Sequence, residues 1–122
     1  MNQKIKANRD QLTPYITKDG SQIRELLHPN NTTIKNQSLA EAVITQGQMT
    51  DAHSHKLTEE IYYILEGKGQ MYLANDDFFV EQGDSILIKP GQTHCIKNIG
   101  DSDLKLLCCC SPAYSHEDTF LD

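Results

Sequence analysis

The sequence is poor in basic residues. It has 11 lysines and arginines against 17 aspartates and glutamates over 122 residues, which gives a formal net charge of −6. A nucleic-acid partner requires a basic surface, because contacts to phosphates supply much of the binding free energy. The charge balance therefore argues against a nucleic-acid-binding protein.

The sequence also lacks a long apolar run. No stretch reaches the roughly 20 apolar residues that a membrane-spanning helix needs. The opening segment, MNQKIKANRD, is polar and has no apolar segment of the kind that a secretory signal requires. We therefore expect no membrane partner and a cytoplasmic location.

A disulfide framework is missing as well. Three of the 4 cysteines, Cys108, Cys109 and Cys110, are adjacent in the chain. Adjacent cysteines do not easily reach disulfide geometry with each other. This spacing favours free thiols and a reducing compartment.

No long helical period occurs either, and short strand-like segments separated by turns fill the chain. This pattern predicts an all-β sandwich or barrel. Only the first half of SLAEAVITQG, at residues 38–47, also allows a short helix. The length suits one domain, which we divide into a polar arm at residues 1–14, a barrel at 15–112 and a polar tail at 113–122.

The segment HSHKLTEE carries the most informative pattern. His53 and His55 lie two apart, so in a strand both imidazoles point to one face and can bind one metal ion. His94, in KPGQTHCIKN, is a third candidate ligand. A carboxylate ligand could come from Glu59 or Glu60. A straight strand favours Glu59, but a turn at Lys-Leu-Thr would reset the alternation, and periodicity alone does not decide.

Two longer segments resemble the paired motifs of the cupin superfamily. GQMTDAHSHKLTEEIYYILEG resembles the first motif and GDSILIKPGQTHCIKN the second, although Lys89 stands where the second motif often has proline. The family spacing selects Glu60 over Glu59. The positions that match the two motifs are Gly47, His53, His55, Glu60, Gly67, Gly83, Asp84, Pro90, Gly91, His94 and Asn98.

The resemblance implies a double-stranded β-helix, or jelly-roll barrel, with a metal inside one end. It implies one divalent transition metal per chain, held by His53, His55, Glu60 and His94. Manganese, iron, nickel, copper, cobalt and zinc all suit these ligand types. It also implies a homodimer built on the outer sheet of the barrel. The chain further resembles small prokaryotic single-domain cupins grouped as mannose-6-phosphate-isomerase-like, a label that says little about activity.

Strand alternation predicts which side chains line the cavity of such a barrel. Tyr62 is either a proton-donating pocket residue or part of the core. Cys108 and Cys110 are either redox groups near the metal or small buried apolar residues, and we favour the second interpretation. The full set of predicted lining residues is Ile64, Ile96, Asn98, Leu106, Cys108 and Cys110.

A site of three imidazoles and one carboxylate allows three functions. The first is a metal-dependent oxidoreductase, similar to a dioxygenase, that acts on a small chelating molecule. The second is an isomerase or lyase that acts on a sugar or keto acid by Lewis-acid catalysis. The third is a module that binds a metal or small molecule without catalysis. In each case the expected partner is a small molecule.

Overall fold

The computed structural model describes residues 5–122, so the first four residues of the predicted arm lie outside the described residues. Within the described part no helix is long and apolar enough to cross a membrane. One short 3-10 helix, η1 (Arg9–Gln11), precedes the strands. The strands are β1 (Tyr15–Ile16), β2 (Gln22–Leu27), β3 (Ser38–Ile44), β4 (His53–His55), β5 (Glu59–Glu66), β6 (Lys68–Leu73), β7 (Asp76–Glu81), β8 (Ser85–Ile88), β9 (His94–Asn98), β10 (Leu104–Ser111) and β11 (Thr119–Leu121).

The strands form two antiparallel sheets. The first has the order β1-β2-β3-β10-β5-β8 and the second the order β11-β4-β9-β6-β7. Their inner faces enclose a core that includes Ile64, Met71, Ile96, Leu104 and Leu106, all at most 1% exposed. This architecture confirms the predicted all-β jelly-roll barrel.

Strand β3 excludes the short helix that the sequence allowed at its start. Residues 38–44 pair with β2 on one side and with β10 on the other. The helix-favouring residues Leu39, Ala40 and Glu41 therefore lie in the middle of a sheet. Pairing on both edges and burial of Val43 and Ile44 outweigh the local helical preference.

Gly67 makes the tight connection between β5 and β6 possible. Its φ of +95° lies in the left-handed region, which side chains other than glycine rarely adopt. A Cβ atom at this position would lie 2.8 Å from the carbonyl oxygen of Asp103. The motif glycine therefore permits a backbone approach that closes one end of the barrel.

The last strand belongs to the second sheet. Strand β11 pairs with β4, with Thr119 opposite His55 and Leu121 opposite His53. It lies within residues 113–122, which the sequence suggested as a polar tail. The short length and the three-residue pairing explain why no periodic pattern marked this strand in the sequence.

Candidate metal centre

The histidines of β4 and β9 meet inside the barrel. His53 and His55 are both 3% exposed, and Ser54 between them points the other way. His94 is 1% exposed and pairs directly with His53 across the two strands. One nitrogen from each of the three imidazoles lies within 4.8 Å of the others, which is close enough to hold one metal ion.

The other ring nitrogen of each histidine has a partner that fixes the ring. Nδ1 of His53 lies 2.8 Å from the carbonyl oxygen of Asp51, and Nδ1 of His94 lies 3.0 Å from that of Gln92. A carbonyl oxygen accepts, so both Nδ1 atoms carry the proton, and in the neutral ring Nε2 is left as the ligand atom. Nδ1 of His55 lies 3.2 Å from the Thr119 hydroxyl.

Strand β5 brings Glu60, and not Glu59, to the histidines. Glu60 is 4% exposed, whereas Glu59 is exposed at the surface. The chain turns after His55, and this turn changes which alternate residues of the next strand point inward. A strand that continued straight from β4 would have turned Glu59 inward instead.

Asp118 holds the turn between β4 and β5. Its carboxylate accepts hydrogen bonds from the backbone N–H groups of Lys56, Leu57 and Thr58, at 3.1, 3.0 and 3.0 Å. The sequence reasoning missed this residue. No local signal could have found it, because Asp118 and Thr58 are 60 residues apart in the chain.

Two buried atoms at the centre of the site have no hydrogen-bond partner in the described part of the chain. They are Oε1 of Glu60 and Nε2 of His94, which lie 3.5 Å apart. Oε1 of Glu60 also lies 3.2 Å from Nε2 of His55. Buried polar atoms are costly without a partner. A metal ion shared by this nitrogen and this oxygen would satisfy both atoms. Nitrogen and oxygen ligands of these types suit a transition metal.

The charges in the site affect one another. Burial opposes ionisation of Glu60, but the adjacent imidazoles of His55 and His94 lower its pKa to about 2. Burial also opposes the charged form of His55, yet the Glu60 carboxylate outweighs it and raises the pKa of His55. Burial, followed by the neighbouring His94, lowers the pKa of His53. Glu60 is therefore ionised at neutral pH, as a metal ligand must be.

His53, His55 and Glu60 line a cavity of about 40 Å³, together with five other residues that the sequence analysis named: Tyr62, Ile96, Leu106, Cys108 and Cys110. Ile64 and Asn98 do not line it, which corrects that expectation. Both are buried, but they lie further along their strands in the packed interior. The amide of Asn98 donates to the carbonyl oxygens of Ile44 and Ser102 and accepts from the Gly100 N–H.

The two inward cysteines are neutral thiols. Burial raises the pKa of Cys108 and of Cys110, and the charge of Glu60 adds to both effects. The Cys110 thiol lies 3.4 Å from Oε2 of Glu60 and donates a hydrogen bond to it. Cys110 thus holds one carboxylate oxygen while the other faces the histidines.

Tyr62 lies at the wall of the cavity with its ring centroid 5.9 Å from that of His94. Burial, followed by the charge of Glu60, raises its pKa well above the ordinary value. The hydroxyl therefore keeps its proton at neutral pH.

Asp19 is a further carboxylate in the cavity, and the sequence reasoning missed it. Its Oδ2 lies 3.6 Å from Nε2 of His53. Its Oδ1 accepts hydrogen bonds from the Thr17 hydroxyl and from the N–H and hydroxyl of Ser21, at 2.7, 2.9 and 2.6 Å. The segment TKDGS has the composition of an ordinary turn, so its sequence gave no sign that Asp19 faces a functional cavity.

Comparisons with known proteins give a family match and a similar protein. The family described as a cupin domain matches residues 40–110. An uncharacterized protein of Methanocaldococcus jannaschii is 57% identical over 115 residues, which cover 94% of this chain and 92% of that protein.

Two similar proteins come from Thermotoga maritima. An oxalate-binding protein is 36% identical over 61 residues, which cover 50% of this chain and 50% of that protein. The crystal structure of a predicted oxalate decarboxylase superimposes with a TM-score of 0.77 at 26% identity, covering 87% of this chain and 97% of that one.

Proposed function

Since this chain belongs to the cupin family, we propose that it binds one divalent transition metal and acts as a metal-dependent oxidoreductase on a small chelating molecule. The observation that carries the proposal is the pair of partnerless buried atoms, Oε1 of Glu60 and Nε2 of His94. They lie beside the Nε2 atoms of His53 and His55. The four residues provide one carboxylate and three imidazole ligands.

The ligands determine the charge of the site. Three neutral imidazoles and one carboxylate leave a divalent ion with a net positive charge, which favours anionic oxygen donors of a substrate. A divalent ion held there would act as a Lewis acid. A redox-active ion, such as manganese or iron, would also exchange electrons with oxygen. The residues around it hold the imidazole rings in place and, through Cys110, orient the Glu60 carboxylate.

The cavity limits the size of the reacting group. Its volume of about 40 Å³ holds only a few water-sized groups at roughly 10–15 Å³ each. The site therefore suits the chelating end of a small molecule, or that end together with one diatomic co-substrate. The lining is partly apolar, with Ile96 and Leu106 beside the polar groups, which limits the entry of water during the reaction.

An isomerase or lyase is the second candidate, and Asp19 is the observation that favours it. Its carboxylate faces the cavity but belongs to a different segment from the four proposed ligands. The Asp19 carboxylate would accept a proton from a bound sugar or keto acid, and a metal held by the four proposed ligands would supply Lewis-acid chemistry. The oxidoreductase and the isomerase would share one metal site and differ in their requirement for oxygen.

Metal analysis combined with oxygen measurements tests the proposal. The purified chain, loaded in turn with manganese, iron, cobalt, nickel, copper and zinc, should retain about one ion per chain after dialysis, measured by mass spectrometry of the metal. Oxygen consumption with a panel of hydroxy, keto and dicarboxylic acids would support the oxidoreductase. Turnover without oxygen would support the isomerase or lyase instead. Folded protein that retains none of these metals would contradict both.

The homodimer that the resemblance implies stays a prediction. Ile61, Tyr63 and Leu87 are 44%, 42% and 49% exposed on the outer face of β5 and β8, and Ile61 lies opposite Leu87. Adjacent exposed apolar side chains are typical of protein interfaces. If the dimer forms there, Leu87→Asp should shift the mass measured by light scattering from that of two chains to that of one.

A further inference from the structure

We propose that the cavity selects hydroxylated chelators with at most one negative charge and rejects dianionic dicarboxylates such as oxalate. This inference rests on the proposed metal site and names the class of molecule that would bind there. The similarity to proteins named for oxalate does not by itself identify the ligand, because fold likeness does not fix specificity. The groups that surround the proposed ligands carry the argument.

Two carboxylates that are not proposed ligands line the cavity, those of Asp19 and Glu25. Oδ1 of Asp19 already accepts three hydrogen bonds, from the Thr17 hydroxyl and from the N–H and hydroxyl of Ser21. Oε1 of Glu25 accepts a hydrogen bond from the Tyr15 hydroxyl at 3.1 Å. Oε2 of Glu25 is buried and has no partner within residues 5–122. A ligand hydroxyl would supply the missing donor.

The described lining of the cavity contains no lysine or arginine. Chelation of a metal by oxalate uses one oxygen from each carboxylate group, and the two remaining oxygens still carry much of the charge. Here those oxygens would meet carboxylates instead of a basic side chain. Like charges repel strongly in a site sheltered from water, so this arrangement works against a second negative charge on the ligand.

An outer groove continues from the cavity and shares Glu25 and Tyr114 with it. The described lining of this groove also lacks lysine and arginine, and its basic side chains are those of His28 and His116. Burial raises the pKa of Tyr114 to about 12, and the carboxylates of Asp19, Glu25 and Glu60 add to the effect. The Tyr114 hydroxyl is therefore neutral and can both donate to and accept from a ligand hydroxyl.

These selecting groups come from a different part of the chain than the metal ligands. Asp19 lies between β1 and β2, and Glu25 lies in β2. The cupin-domain match begins only at residue 40, so family membership assigns neither residue a role. The four proposed ligands lie within the matched residues, whereas Asp19 and Glu25 lie before them.

Three ligands that differ in charge and hydroxyl groups test the inference. They are oxalate, glycolate and glycerate, titrated into the cobalt-loaded full chain while the visible absorption of cobalt reports ligand binding. We expect glycerate to bind most tightly, glycolate less tightly, and oxalate at least ~10-fold more weakly than glycerate, given the cost of like charges. Metal content measured after each titration shows whether oxalate has removed the cobalt.

Charge-neutralising variants of the same size separate selection from general binding. Glu25→Gln alone, and together with Asp19→Asn, should raise oxalate affinity relative to glycerate by ~10-fold or more. The single variant keeps the test valid if the loss of the Asp19 hydrogen bonds prevents folding. The matched control is the double variant Asp77→Asn with Glu81→Gln. It removes the same net charge as the Glu25 and Asp19 double variant, but its two residues are exposed on β7 and do not line the cavity.

Two results overturn the inference while leaving the proposed function intact. One is that the cobalt-loaded chain binds oxalate as tightly as glycerate, or that it binds neither glycolate nor glycerate. The other is an oxalate-to-glycerate ratio that the Glu25 and Asp19 variants change no more than the control does. A folded chain that takes up neither cobalt nor any of the other five metals would overturn the proposed function, and the inference with it.

Discussion

His94 and Asn98 lie at opposite ends of strand β9, with their side chains on the same inner face. Each is 1% exposed, yet their polar atoms differ in how they are satisfied. Nε2 of His94 has no partner among the described residues, whereas the amide of Asn98 makes three hydrogen bonds to backbone groups. One end of the barrel thus has a buried polar atom without a hydrogen bond, and at the other end the buried amide is fully bonded.

This difference separates residues that serve binding from residues that serve folding. An unsatisfied buried atom costs stability unless a ligand supplies its partner. A fully bonded buried amide stabilises the loops that it joins. The substitutions below alter the two ends one at a time, and each should affect one property much more than the other.

His94→Ala should have the largest effect, on metal binding. Changes to groups that merely support a ligand typically cost ~10–100-fold in metal affinity, and loss of a ligand should cost more. Titration of the metal-free protein with zinc or cobalt would measure this affinity. His116→Ala is the control, because His116 is exposed and its contact is with the Tyr114 hydroxyl. Equal metal affinities of His94→Ala and His116→Ala would contradict the assignment of His94 as a ligand.

Asn98→Ala should instead lower the free energy of unfolding, by about 2–4 kcal/mol, because buried backbone groups lose their hydrogen bonds. Urea unfolding of the metal-free protein measures this quantity. The folded fraction should still bind metal with unchanged stoichiometry. Gln82→Ala, at an exposed position, should change the free energy of unfolding little. A stable Asn98→Ala variant that loses metal would remove the distinction between the two ends.

Gly67→Ala should destabilise the closed end through a backbone clash. Gly83 is a matched control, because its φ of +94° is nearly that of Gly67 and a Cβ there would have no atom within 4 Å. Both alanine variants should lose about 1–3 kcal/mol from the unfavourable φ. Gly67→Ala should lose more, since its Cβ would contact the Asp103 carbonyl. Equal unfolding midpoints in urea would mean that the clash is relieved at no cost.

Glu25→Gln should have the smallest effect, and that effect should depend on pH. Burial raises the pKa of Glu25 above the ordinary 4.5. The folded state therefore holds this proton more tightly, so its stabilising contribution is full below pH 4.5 and is lost as the pH rises through the raised pKa. Glutamine should raise the melting temperature at pH 7 and change it little at pH 4. A gain that is the same at both values would contradict this reasoning.

Strand alternation predicted from sequence that His53 and His55 share one face, because a period of two is a local property of the backbone; the choice of Glu60 came from the family spacing. The structure brings His53 and His55 to one face and places His94 opposite them. Alternation could not distinguish cavity from core, since both lie inside the barrel. Asn98 and Ile64 were therefore expected at the cavity, although each lies in the packed interior.

The groups that the sequence reasoning missed act across long separations. Asp118 contacts a turn about half the chain away, and Asp19 approaches His53 from the segment before β2. Each stands in a short polar segment whose composition is that of an ordinary loop. Such contacts depend on how the two sheets pack against each other, and no periodic pattern in the sequence predicts that packing.

The contacts of Asp118 and Thr119 also affect the order of events during synthesis. A growing chain that has exposed His53, His55 and Glu60 to solvent still lacks the carboxylate that holds their turn and the hydroxyl beside Nδ1 of His55. Contacts of such long sequence separation form late in folding. His53, His55 and Glu60 therefore leave the ribosome before the groups that orient them, and this part of the site can be arranged only after Asp118 and Thr119 have also emerged.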